Sequence, residues 1–271
     1  MIESMTNSQI KHVQKLIKQS RARKKEQTFV VEGWKMVSEA LARDLVLHLY
    51  VKESEQNTFQ KRLQEYNDNI SCHGVQVDFV SAPVFDHLSD TVTPQGILAT
   101  VKMPCYSRDT VVEGKAGGVY TDTKLIVLED IQDPGNIGTI VRTAEGAGMS
   151  GVVLSKGCVD LFNPKVVRST MGALFRVPFY VCDDIASEIQ KLKRDHFSFY
   201  AAHLQGTRDY CEVRYEGKLG ILIGNEANGV SDCVSELADK KVKIPMEGQL
   251  ESLNAAVSAA LFAYEVRRCC R

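Results

Sequence analysis

Three short polar segments in the second half of this 271-residue chain carry residue types able to do chemistry, and each follows an apolar run. The first is Glu129-Asp130-Ile131-Gln132-Asp133-Pro134-Gly135-Asn136-Ile137-Gly138, continuing to Arg142-Thr143-Ala144. Pro134-Gly135 marks a tight loop, Asn136 is a candidate helix cap, and Arg142 falls nearly two turns up that helix. A helix start can face a phosphate or a ribose, and a guanidinium nearby can hold a phosphate in forked geometry. An ordinary cap with a surface ion pair explains the same residues. The second segment is Gly224-Asn225-Glu226-Ala227-Asn228-Gly229. Its glycines and asparagines suit a loop with positive backbone angles, where a ligand can approach the main chain. Glu226 either organises such a pocket or simply faces water. The third runs from Ile244-Pro245-Met246 to Leu250-Glu251-Ser252-Leu253-Asn254 and an alanine-rich stretch. Ser252 and Asn254 are candidate caps for the helix expected from about 252 to 267.

The elements that must position these segments alternate regularly. Apolar runs at 125–128, 152–154, 177–181, 197–202, 219–223 and 242–244 read as strands. Helical patterns lie between them from Asn136, from Asn163-Pro164 through Met171, and around 185–192. Strands apolar on both faces and alternating with helices imply a mostly parallel sheet covered on both sides. Ligands bind such sheets beyond the carboxyl ends of the strands, where the three polar segments fall. Residues 1–102 read as a smaller α/β unit. It opens with a basic helix whose apolar stripe is Ile10, Val13, Leu16 and Ile17; strands follow at 29–31, 46–51, 75–80 and 97–101, with a helix at 33–42. Residues 103–122 have little periodicity and read as a linker between this unit and residues 123–271.

Composition sets outer limits. With 44% hydrophobic and 25% charged residues the chain has the makings of an ordinary globular core. A net charge of −1 announces no nucleic-acid partner, so any such partner rests on local charge. From Lys11 to Lys25 the chain holds Lys11, Lys15, Lys18, Arg21, Arg23, Lys24 and Lys25 and no acid. That is either a phosphate-binding face or a solvated helix surface. No apolar run is long enough to span a bilayer, and the polar N-terminus lacks a signal-peptide core. Eight cysteines with no Cys-x-x-Cys pair suit reduced thiols in a cytosol, and six histidines show no metal-ligand spacing. The reading is a cytoplasmic protein with no membrane partner and no metal.

Taken together, in this order and each after a strand, the three segments strongly resemble the signature motifs of the SpoU family within the knotted SPOUT methyltransferases. The first matches at Asn136-Ile137-Gly138 with Arg142-Thr143-Ala144, the second at 223–229, and the third at Ile244-Pro245-Met246 through Glu251-Ser252-Leu253-Asn254-Ala255-Ala256-Val257. The stretch 163–173 and Val177-Pro178 are also similar to the family. Residues 29–33 and 93–99 resemble the small ribosomal-protein-like substrate-binding domain that precedes many of these catalytic domains.

The resemblance implies a C-terminal trefoil-knotted methyltransferase domain that uses S-adenosyl-L-methionine to methylate a ribose 2′-hydroxyl in RNA. Ribosomal RNA of the large subunit is the first choice of substrate and transfer RNA the second. It implies that Gly224, Asn225, Ile244, Met246 and Leu253 hold the cofactor, and that Asn136, Arg142, Glu226, Ser252 and Asn254 form the catalytic set. A homodimer through the last helix is implied as well, although an intramolecular core explains Ala255, Ala256, Ala259 and Ala260 equally. Two other classes stay in view. One is a non-catalytic RNA-binding protein on the same fold. The other is a nucleotide-dependent oxidoreductase, which lacks its glycine-rich loop here because Asp133-Pro134-Gly135-Asn136 stands after the first strand. His203, at a strand end, reads as structural or pocket-lining.

Overall fold

The structure, a computed structural model, describes residues 1–65, 74–91, 93–113 and 122–270. Cys72 and residues 114–121 of the expected linker lie outside the described residues. In chain order the strands are β1 (Thr28–Glu32), β2 (Val46–Lys52), β3 (Gln76–Val80), β4 (Ile97–Lys102), β5 (Lys124–Leu128) and β6 (Gly151–Ser155). They continue with β7 (Phe179–Cys182), β8 (Ser198–Ala202), β9 (Arg208–Asp209), β10 (Leu219–Ile223) and β11 (Lys240–Lys243). The helices are α1 (Ser8–Lys18), α2 (Ser20–Glu26), α3 (Trp34–Leu41), α4 (Gln56–Glu65), α5 (Ala82–Leu88) and α6 (Arg108–Val112). After these come α7 (Pro134–Ala147), α8 (Pro164–Ser169), α9 (Ile185–Arg194), α10 (Asp232–Ser235) and α11 (Ala255–Cys269).

Two compact units form. One holds Met1–Pro104 together with Asp160–Phe175, and the other Cys105–Val159 with Arg176–Arg271. The first unit has a four-stranded sheet in the order β1-β4-β2-β3, in which β4 runs antiparallel to both neighbours. α1 buries Ile10, Val13 and Leu16 against Val30, Tyr50 and Leu98 of that sheet, as its apolar spacing predicts. α4 is absent from the sequence reading because it is nearly all polar, with Phe59 its buried residue. Residues 108–112, expected as linker, form α6 instead, and Val111 and Val112 are buried in the core of the second unit.

The second unit carries a seven-stranded sheet, β7-β6-β5-β10-β8-β11-β9, whose paired strands all run parallel. β5, β6 and β10 are buried along their whole length, which is why they read as unbroken apolar runs rather than alternating ones. The chain moves outward through β5, β6 and β7, returns to the other side for β8, and later inserts β10 between β5 and β8. This reversal of strand order opens a crevice at the carboxyl ends of β5 and β10. Their register sets Ile223 beside Leu128, and Glu129 N–H donates to Ile223 C=O at 2.9 Å. The loops after the two strands therefore begin side by side.

Candidate active site

Two loops that start together can be stitched together, and here they are. Asn225 Nδ2 donates to Asp130 C=O at 2.8 Å, and Ser231 Oγ donates to Glu129 Oε1 at 2.6 Å. Glu226 reaches across to the first loop, where its carboxylate accepts the N–H groups of Gln132 at 3.2 Å and Asp133 at 3.1 Å. Its Oε1 also accepts Asn136 Nδ2 at 2.9 Å. Asn136 Oδ1 in turn accepts Asn254 Nδ2 at 2.9 Å, and Asn254 Oδ1 accepts the N–H groups of Ala256 and Val257 at the start of α11. One hydrogen-bonded line thus runs from the second loop through α7 to the N-terminus of α11, joining residues 90 and 118 positions apart. Desolvation works against the charge of Glu226, but the donations from Asn136 and from main-chain N–H groups outweigh it together. They hold its carboxyl below the usual carboxylate range.

The sequence placed Asn136 as a helix cap, and the structure corrects this. α7 begins at Pro134, and Asp133 Oδ1 accepts Asn136 N–H at 2.8 Å. Proline's fixed backbone angle and missing N–H suit the first helical position, so the cap falls to the residue before it. The Asn136 side chain is thereby released for the line just described, and Asn136 is buried. At the other end Asn254 is the cap of α11 and Ser252 is not; Ser252 stands exposed on the loop before it.

Beside this line lies a cavity of about 640 Å³. Gly224 through Gly229 form one wall, Ile244, Pro245 and Met246 a second, and Ser252 and Leu253 a third. All five residues expected to hold a cofactor line it, as do Glu226 and Ser252. A side chain at position 224 has no room, because a Cβ there would sit 2.0 Å from Gly229 C and Val230 N. Gly224 is what lets the loop fold back tightly enough to form the wall. Met246, Ser252 and Leu253 make no main-chain hydrogen bond among the described residues, so their N–H and C=O groups are open to a ligand in the cavity. The space is of the size that takes a nucleoside-sized ligand, with Met246 and Leu253 as apolar walls and main-chain groups to read a purine edge. These residues fit S-adenosylmethionine.

The pattern missed several lining residues: Leu204, Gln205 and Asp209, from the segment after β8, together with Phe262 of α11. Periodicity gives no sign of them, since only the strand order, β10 beside β8 and β8 beside β11, brings these segments to the loop after β10. His203 lines the cavity too, with Nδ1 accepting Gln205 N–H at 3.1 Å. Arg142 lies on α7, exposed, outside the cavity lining and without an ion pair or hydrogen bond among the described residues.

Of the seven basic residues at 11–25, six are exposed on α1 and α2: Lys11, Lys15, Lys18, Arg21, Lys24 and Lys25. Lys15 lies 3.6 Å from Glu26. Arg23 is a correction. It is 3% exposed, its Nη2 donates to Asp160 Oδ2 at 2.6 Å, and its Nη1 donates to the carbonyls of Leu16 and Ile17. Its donors are spent inside the first unit, so it is a structural residue and offers no charge to RNA.

An all-parallel sheet with an inserted central strand and three convergent loops around a nucleoside-sized cavity defines an α/β protein with a nucleotide-like ligand site at its strand ends. The SpoU rRNA Methylase family matches residues 123–264, and an MRM3-like substrate binding domain matches residues 7–99. Over 267 residues the chain is 34% identical to the 23S rRNA (guanosine(2553)-2′-O)-methyltransferase RlmP of Bacillus subtilis (strain 168), with 98% of each chain covered. Among solved structures it superposes on the SpoU methyltransferase AviRb from Streptomyces viridochromogenes with a TM-score of 0.82 at 25% identity, covering 97% of both chains. An AdoMet-bound rRNA methyltransferase from Sinorhizobium meliloti gives the same TM-score at 26% identity, covering 98% of this chain and 97% of that one. The chain belongs to the SpoU rRNA methylase family, as the three motifs suggested, and it is an S-adenosylmethionine-dependent methyltransferase.

Proposed function

We propose that this chain methylates a ribose 2′-hydroxyl in the ribosomal RNA of the large subunit. The observation that carries the reading is the line Glu226–Asn136–Asn254 beside a cavity fitted to S-adenosylmethionine. It draws one residue from each of the three motifs into a single network. When bound, S-adenosylmethionine presents a methyl group on a sulfonium, and the transfer leaves a neutral thioether. Gly224, Asn225, Ile244, Met246 and Leu253 hold and orient it. Ser252 stands at the mouth of the cavity, and Asn136 and Asn254, outside its lining, orient ribose and cofactor through the loops that their hydrogen bonds fix. Arg142 grips the neighbouring phosphate and stabilises the charge that grows on the 2′-oxygen as the hydroxyl proton passes to solvent. Alignment of nucleophile, methyl and sulfur supplies much of the rate, and no step calls for a metal.

The six exposed cations of α1 and α2 hold RNA backbone without reading sequence. The family's trefoil knot and a cytoplasmic setting belong to the same reading. So does a homodimer, through the outer face of α11. Ala255, Ala256 and Ala259 are consumed by the core of the unit, whereas Val257 and Tyr264 stay 47% and 51% exposed on that helix. Calorimetric titration with S-adenosylhomocysteine tests the site. Wild type is expected to bind near one equivalent per chain and Leu253→Arg to bind none. A folded Leu253→Arg protein that binds normally would remove the cofactor from this cavity.

A further inference from the structure

A second cavity, of about 910 Å³, lies in the first unit between α3, α4 and the loop before β4, and the reading above leaves it without a role. It opens on the opposite face of the sheet from α1. Tyr50 packs in the core under α1 while its neighbour Val51 lines the cavity, and successive strand residues point to opposite faces. Its most distinctive wall is aromatic. Trp34 and Phe59 meet edge-on with ring centroids 6.2 Å apart, and the guanidinium carbon of Arg62 lies 5.5 Å from the centre of the Trp34 ring. The loop holds the start of α3 in place, because Gln95 Oε1 accepts the main-chain N–H of Trp34 at 3.0 Å.

The charge balance indicates what the cavity would take. Exposed Lys35 and Arg62 are offset by Glu39 and Glu55, so the interior has no net positive charge to draw a phosphate inward. Glu39 is itself paired with Arg43 at 2.9 Å, while Glu55 has no hydrogen bond or ion pair among the described residues. An indole, a guanidinium over its ring and an uncommitted carboxylate together suit a flat heterocycle carrying N–H donors. Cations at the rim suit the backbone attached to it.

We infer that this cavity receives one unpaired nucleobase of the RNA substrate, stacked against the Trp34–Arg62 wall. The inference rests on the RNA reading above and adds a base contact separate from the cations of α1 and α2. Unstacked bases in loops and bulges are the ones proteins take up in this way.

Trp34 is the single tryptophan of the chain, so its emission reports this cavity alone. The full chain is titrated with a short single-stranded RNA while tryptophan emission is followed, and binding of the same RNA, end-labelled, is followed separately by anisotropy. Emission is expected to be quenched saturably, in step with anisotropy. Arg62→Gln, and Thr58→Met filling the cavity from an exposed position on α4, are each expected to weaken binding about tenfold and shrink the quench. Both should leave S-adenosylhomocysteine binding unchanged. RNA binding with emission unmoved, or an undiminished quench in both variants, would overturn the inference and spare the RNA reading. No RNA binding by anisotropy would overturn both.

Discussion

In the second unit each polar group of the line has a named partner: Glu226 holds Asn136, Asn136 holds Asn254, and Asn254 holds the start of α11. In the first unit Lys11, Lys18, Arg21, Lys24 and Lys25 project from helix surfaces with no ion pair or side-chain hydrogen bond among the described residues. The two arrangements suit different work. Methyl transfer needs atoms held within a fraction of an ångström, which is what interlocking hydrogen bonds on rigid elements provide. Holding an RNA backbone needs charge near phosphate, and mobile side chains on a helix face supply it without fixed geometry. Substitutions in the first arrangement should act steeply and specifically. Those in the second should act gradually and additively, and should fade with salt.

The largest expected effect is at Gly224. Gly224→Val puts side-chain atoms where the main chain of Gly229 and Val230 runs. S-adenosylhomocysteine affinity by calorimetry should fall by about two orders of magnitude or more, the loop having no cheap way to yield. Next is Arg23, the cation that breaks the pattern of its neighbours. Arg23→Ala leaves Asp160 with little solvent and no guanidinium, and denaturant unfolding should show a loss of about 3 kcal/mol.

Asn136→Ala comes third. It removes both bonds of the central residue of the line, and cofactor affinity should drop about tenfold. It also has a pH signature. The Glu226 carboxyl is held below its ordinary range, so the stability it lends is complete above that range and is lost as pH falls through the lowered value. Without Asn136 the carboxyl returns toward its ordinary range, so the acid-dependent loss should be smaller and finish at higher pH in acid melts. The smallest effects belong to Lys24→Ala and Lys25→Ala. Each should reduce the slope of log RNA affinity against log salt by about 1 and leave stability within about 0.5 kcal/mol. A Lys25 variant that melts early, or an Asn136 variant with full cofactor affinity, would break the contrast between the two regions.

Much of this was legible in the sequence. The buried strands β5, β6 and β10 announce themselves as unbroken apolar runs, and the three segments at their ends carry the family resemblance. What stayed hidden is what distance along the chain conceals. Nothing near Arg23 signals that Asp160, 137 residues on, will bury it. Nothing in Gly224–Gly229 shows that Glu226 will hold the N–H groups of Gln132 and Asp133. The cap expected at Asn136 falls elsewhere for a local reason: Pro134 moves it back to Asp133. Residues 160–175 read as part of the alternating C-terminal pattern yet pack with the first unit, because burial there depends on partners such as Phe29, whose ring lies 4.8 Å from Phe162.

The most direct test is methyl transfer itself. Purified protein is incubated with labelled S-adenosylmethionine and unmodified large-subunit ribosomal RNA, the RNA is digested to nucleosides, and the label is located by mass spectrometry. Label in a 2′-O-methylated nucleoside, at about one per RNA molecule, is the predicted result. With Arg142→Ala the yield should fall by about 10²-fold or more while S-adenosylhomocysteine still binds. Label on a base, label accepted by transfer RNA but not by ribosomal RNA, or an Arg142→Ala enzyme as fast as wild type would contradict the account.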